Sequence, residues 1–209
     1  MKLKNTKVFF LTGPPVSGKD TQAKLLAKKI KGVKLTTSMM VNLFFKKYPK
    51  GYVKLGRKVF SLKKEKKRRL SGGLYSTFLV GYIVCEKLKE YFHKKNVVIS
   101  GSPRLITEAK MELSVLNKNL SSNDYAFILL KVSEEEILRR AQKRRRLLED
   151  RPEIVKQRII TYYNQILPVV DFLKRKNVLI EINGEGKVMD IHNKIMKTLI
   201  SKGYLIKKF

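Results

Sequence analysis

The chain has 209 residues, no Trp and a single Cys, and its 47 Lys and Arg against 17 Asp and Glu leave a formal charge of +30. An apolar content of 43% is enough for one domain with a real core, which excludes wholesale disorder. No apolar run approaches the roughly 18–20 residues of a bilayer crossing, the longest lying near Phe78–Cys85 and Tyr125–Leu130. One Cys and two His supply neither a disulfide nor a metal set, so Cys85 is expected to be a buried, inert thiol in a reducing, cytoplasmic setting. The basic start Met1–Lys4 runs through Val8–Leu11 straight into a glycine motif, which does not fit a signal peptide. The charge favours polyanionic partners, nucleotides or nucleic acid. A solvated basic surface reads equally well from it.

In chain order, strands alternate with helices. Lys7–Thr12 is a short apolar run that stops at glycine, and Lys19–Lys31 has helical spacing. Val33–Leu35 reads as a short strand, followed by helices over Ser38–Lys47 and Tyr75–Lys95 with a basic, Gly-containing stretch between them. Asn96–Ser100 is a second buried-strand pattern, Ile106–Asn117 a helix, and Tyr125–Val132 a third apolar strand. Ser133 with Glu136 forms a capping box for the next helix. Pro152 opens a long helix to about Lys174, Asn177–Ile182 is a further strand, and a C-terminal helix follows Gly186. Short β-branched strands alternating with longer helices predict an α/β domain with a parallel sheet.

The segment Gly13-Pro14-Pro15-Val16-Ser17-Gly18-Lys19-Asp20-Thr21 follows a strand and opens a helix, the setting of a phosphate-binding loop. Backbone N–H groups at the helix start, helped by the helix dipole, bind phosphate oxygens. Gly13 and Gly18 allow the tight turn, and Lys19 is placed to reach the β- and γ-phosphates.

From Gly18-Lys19-Asp20-Thr21-Gln22 onward the chain resembles the adenylate kinases and their nucleoside monophosphate kinase relatives. Thr36-Thr37-Ser38-Met39-Met40 is similar to that family's monophosphate-site segment Ser-Thr-Gly-Asp-Met/Leu. Ser71-Gly72-Gly73-Leu74 resembles its Gly-x-Leu-Val turn. Ser100-Gly101-Ser102-Pro103-Arg104 resembles Asp-Gly-Phe-Pro-Arg. Arg140 and Arg144 match two arginines one helical turn apart at the ATP site. Glu149-Asp150-Arg151-Pro152-Glu153 with Arg158 resembles the segment after the lid. The resemblance implies a P-loop, three-layer α/β/α fold with a five-stranded parallel sheet. It implies a single domain over residues 1–209, with a monophosphate-binding lobe near residues 36–74 and a short lid near 141–150 that lacks a zinc insertion. It further implies a monomer that uses Mg²⁺ with ATP and a nucleoside monophosphate. Residues 13–21 with Arg140 and Arg144 would hold ATP, and Thr37, Asn42, Gly101, Arg104 and Glu108 the monophosphate. Lys19, Arg104, Arg144 and Arg158 would carry the transferring charge.

Four positions depart from the family. Its Mg²⁺-holding Asp is Ser100 here, its phosphate-closing Arg is Asn42, its Gly-Asp is Ser38-Met39, and its base-reading Gln is Glu108. Asp20 is therefore a candidate for the missing metal carboxylate. Lys54, Arg57 or Lys58 could stand in for the missing cation. The expected function is transfer of the γ-phosphate of Mg·ATP to AMP or another monophosphate. The alternatives are an RNA- or ribosome-associated ATPase gripping phosphates through Lys54–Arg69, or a weakly active nucleotide-binding protein.

Overall fold

A computed structural model describes residues 6–48, 50–71, 73–144 and 151–206. Five parallel strands form the central sheet: β1 (Val8–Thr12), β2 (Val33–Thr36), β5 (Val97–Ser100), β6 (Tyr125–Lys131) and β7 (Leu179–Asn183), in the order β2-β5-β1-β6-β7. The expected α/β class and five-stranded parallel sheet are both present.

Alternating side chains of β1 divide the core. Val8 and Phe10 enter one cluster, where Phe10 stacks on Phe127 with ring centroids 4.5 Å apart, and Phe9 and Leu11 enter the other. The first cluster is closed by α2 (Thr37–Phe45), α4 (Thr77–Tyr91), α5 (Ile106–Asn119) and α8 (Leu167–Arg175), the second by α1 (Lys19–Lys29) and α9 (Val188–Ser201). Because both faces are covered, the three central strands β1, β5 and β6 read as nearly continuous apolar runs. The loop after β1 lies at the sheet's centre with β5 and β6 on either side, the place where open parallel sheets bind ligands.

The stretch between the predicted helices Ser38–Lys47 and Tyr75–Lys95 holds more structure than expected. It forms a hairpin of β3 (Tyr52–Leu55) and β4 (Lys58–Ser61), followed by α3 (Leu62–Leu70). Val53 and Phe60 face each other across the hairpin and are buried, while Lys54, Arg57 and Lys58 are exposed. The lysines mask a short β pattern in the sequence.

The long predicted helix from Pro152 is also interrupted. It runs as α7 (Pro152–Thr161), a π turn over Tyr162–Ile166, and α8. Pro168 has no N–H to continue the ladder, and the backbone widens so that Leu167 N–H donates to the Tyr162 carbonyl. At α6 (Glu134–Arg144) only half of the capping box forms. Glu136 N–H reaches Ser133 Oγ at 3.4 Å, but the Ser133 N–H donates to Glu185 at 2.8 Å. Glu136 is held instead by Arg139 and Arg140. Ile137 and Ala141 of α6 pack on Val155 and Ile159 of α7. Glu149, Asp150 and most of the expected lid, together with Gly72, lie outside the described residues.

Candidate active site

The loop after β1 takes its shape from its glycines. Gly13 has φ +149°, and a Cβ there would sit 2.8 Å from the Leu130 carbonyl oxygen and 3.0 Å from Ser17 Oγ. Gly18, at φ +86°, is the N-cap of α1 with no side-chain cap. The first N–H groups of α1 are thus left to a ligand. Lys19 Nζ folds back to the Pro14 carbonyl at 3.0 Å.

Two adjoining hollows open beside this loop. The inner one is lined by Thr12, Gly13, Pro15, Lys19 and Gly101, with Thr161 and Ile166 from the end of α7 and the π turn. The outer one runs past Val16, Gly18, Asp20 and Thr21 to Thr36, Thr37, Ser38 and Ser100, with Arg140 and Arg144 at its far side. Lys19, Arg69, Gly101, Arg104 and Arg158 line both.

Opposite the loop, the Gly101 carbonyl accepts from Thr37 Oγ1 and from Arg104 Nε, each at 2.8 Å. One backbone oxygen therefore fixes the start of α2 and the guanidinium of Arg104 together. Arg140 is locked by three acceptors. Its Nε donates to Glu136 at 2.6 Å, Nη1 to the Ser17 carbonyl at 3.2 Å and Nη2 to the Gly184 carbonyl at 2.8 Å. It ties the phosphate loop to the end of β7, whereas Arg144, one turn on, is exposed at the rim.

The electrostatics are those of an anion site. Burial lowers Lys19 to about 7; Asp20 opposes this, while Arg104, Arg158 and Arg69 add to it. Arg104 falls to about 10, first through burial and next through the Arg69 charge. Like charges held this close are relieved by a multivalent anion. Asp20 is pushed up by burial, but the Ser100 hydroxyl and the Lys19, Lys34 and Arg104 charges outweigh that, so its carboxyl stays below the usual range.

Two expected acceptor residues are placed elsewhere. Thr37, Met40 and Val41 face inward from α2, and Asn42 follows Thr37 by five residues, about 140° round the helix. It is exposed on a shallow groove between α2 and α3, with Met39, Leu43, Lys46 and Lys66. Glu108 is buried behind Arg104, whose backbone N–H it accepts at 2.8 Å, and it lines neither hollow. Burial raises Glu108 to about 7. Burial, with the Glu108 charge, also raises Glu112, one turn along α5 and bonded by Ser102 Oγ, well above the ordinary value.

Sequence reasoning missed Arg69 and Glu65. Both sit in Lys63–Arg69, a run of charges that reads as solvated surface, yet Glu65 is buried and Arg69 enters the cleft. Lys54, Arg57 and Lys58 line neither hollow. Among the described residues, no cluster of three or more His, Cys, Asp or Glu could hold a metal ion, and no helix is long and apolar enough to cross a membrane.

A glycine loop at the centre of a parallel sheet, facing converging cations, defines a P-loop phosphate-binding protein. The family model for adenylate kinase matches residues 11–178. The chain is 30% identical over 197 residues to an adenylate kinase of Leptospira biflexa, covering 92% of this chain and 100% of that one. It is 29% identical over 197 residues to one of Prochlorococcus marinus, covering 94% and 100%. It is 27% identical over 195 residues to one of Thermobifida fusca, covering 92% and 97%. The chain belongs to the adenylate kinase family, and so to the phosphotransferases of the nucleoside monophosphate kinase class.

Proposed function

We propose that the chain transfers the γ-phosphate of Mg·ATP to AMP or a closely similar monophosphate, giving two diphosphates. The observation that carries this reading is the convergence of Lys19, Arg104 and Arg158 on one cavity between the phosphate loop and the Gly101–Arg104 turn. Residues 13–21 cradle the donor phosphates, with Arg140 bracing the loop and Arg144 at the rim. Thr37, Gly101 and Arg104 form the acceptor wall. An oxygen of the acceptor phosphate attacks the γ-phosphorus, and the bond to the β–γ bridging oxygen breaks as ADP leaves. The protein's work is to align the two anions and neutralise the charge in flight.

Mg²⁺, held by Asp20 with Thr21 and Ser100, would offset the negative charge of the donor phosphates. The donor set suits it: an ionised Asp20 carboxylate beside the Thr21 and Ser100 hydroxyls offers hard oxygens, and this ion needs one or two carboxylates plus phosphates and water. All these groups come from one chain, so the proposed site asks for no residue of a second copy. The free, buried Cys85 suits a reducing cytoplasm. The whole is read as one domain with its acceptor lobe near residues 36–74.

The test is ADP formation from ATP with each common monophosphate in Mg²⁺ at moderate salt. Turnover that requires a monophosphate supports the kinase. The exposed cations of β3, β4 and α3 carry a second reading, an ATPase acting on RNA, which phosphate release stimulated by RNA without a monophosphate would favour. Binding of ATP without turnover in either assay would leave a nucleotide-binding protein.

A further inference from the structure

We propose that Arg69 is an acceptor-site residue that binds the phosphate of the monophosphate directly. The assignment rests on the kinase reading above and deepens it.

Helix α3 is a run of cations, and Lys63, Lys64, Lys66, Lys67 and Arg68 all face solvent. Arg69 alone of these cations is partly buried and lines both hollows, in company with Lys19, Arg104 and Arg158. The helix cannot easily rotate it away. Glu65, one turn earlier on the same face, is buried and accepts Ser76 N–H at 2.7 Å and Ser76 Oγ at 2.6 Å. That anchor ties α3 to the start of α4 and aims the next inward position at the cleft.

Charge supports the same assignment. Lys19 belongs to the donor loop, whereas Arg69 and Arg104 come from α3 and the turn after β5, on the acceptor side. Arg69 and Arg104 line the same two hollows, and after burial the Arg69 charge is the largest influence holding Arg104 below its ordinary value. Two adjacent arginine forks form a bidentate clamp for one tetrahedral dianion. Helix α2 offers no cation of its own, because Thr37–Phe45 contains no Lys or Arg, and Asn42 stands on its outer face.

The test compares the full chain with Arg69→Ala, using AMP, CMP, GMP and UMP as probes in calorimetry and steady-state kinetics. Loss of one charge-assisted phosphate contact should raise the Kd and KM for the preferred monophosphate about 10- to 100-fold. ATP affinity should stay within about twofold. Arg69→Lys, a point charge without the fork, should recover part of the loss, and Lys67→Ala on the outer face should change neither. If Arg69→Ala does not fold, Arg69→Gln serves the same comparison. A parent enzyme that turns over a monophosphate while Arg69→Ala matches it, or weakens ATP equally, overturns this assignment alone. A parent that takes up ATP but no monophosphate overturns the kinase reading and this assignment with it.

Discussion

The backbone N–H of Arg104 donates to the carboxylate of Glu108 at 2.8 Å, and the Arg104 side chain reaches back to the Gly101 carbonyl at the same distance. The arginine expected to orient the acceptor is thus held from both sides, by a carboxyl that is itself buried. Burial raises that carboxyl to about 7, and this has a consequence for stability. Below the unfolded carboxylate value both states are protonated and nothing is lost. Between there and about pH 7 the unfolded chain releases a proton that the folded chain keeps, so stability falls as pH rises and levels off above. The loss should reach on the order of 3 kcal/mol, and Glu112 adds to it in the same direction. Glu108→Gln keeps an acceptor for the Arg104 N–H and should flatten the trend. Urea midpoints at pH 5 and pH 8 check it; an equal decline in parent and variant would mean that Glu108 ionises normally.

Lys19, lowered to about 7 mainly by burial, is largely neutral at pH 8 in the free protein. A triphosphate beside it restores its charge, so ATP binding at pH 8 should take up close to one proton. ATP affinity should then weaken as pH climbs above 7, by up to about tenfold per unit. Calorimetry in two buffers of different ionisation enthalpy reads the proton directly. Lys19→Met should abolish the uptake and lower kcat/KM by about 100-fold or more.

Asp20, from the start of α1, and Ser100, from the end of β5, both line the outer hollow. If Asp20 supplies the metal carboxylate, Asp20→Ala should weaken Mn²⁺ binding to the protein–ATP complex by about 10- to 100-fold, the cost typical of lost metal support. Adding Ser100→Asp to that variant should bring much of it back. Electron paramagnetic resonance of free Mn²⁺ measures this without reference to turnover. Unchanged Mn²⁺ affinity would reduce Asp20 to a partner of the α1 dipole.

Glu65 accepts from Ser76 N–H and Oγ, and its ion pair with Arg68 spans 3.3 Å. Glu65→Ala leaves the Ser76 N–H without its acceptor and should cost about 1–3 kcal/mol in chemical denaturation. It should also raise the monophosphate KM, because α3 would no longer aim Arg69. Lys66→Ala, on the exposed face of the same helix, should do neither.

How far the sequence could be read depended on how local each feature is. The phosphate loop was legible because strand, glycines, lysine and helix are contiguous, and each residue type has a backbone reason to stand where it does. The β strands were legible because burial on both faces leaves unbroken apolar runs such as Val97–Ile99 and Ala126–Leu130. The hairpin of β3 and β4 was not, since Val53 and Phe60 are its only buried apolar residues, Tyr52 and Val59 are exposed, and Lys54 and Lys58 break the apolar pattern. The π turn escaped because it is a backbone response to Pro168 within an otherwise helical pattern.

Residue order by itself determined the class of fold and the glycine loop after β1, since both follow from short-range pattern and backbone geometry. Tertiary structure alone decided which charges reach the cleft: Arg69 turns in and Asn42 out, and Glu65, Glu108 and Glu112 are buried where their residue type suggests solvent. In a chain so rich in Lys and Arg, identity says little about direction. Helix phase and the anchors that fix it bring a few of those cations close enough to one another to require an anion.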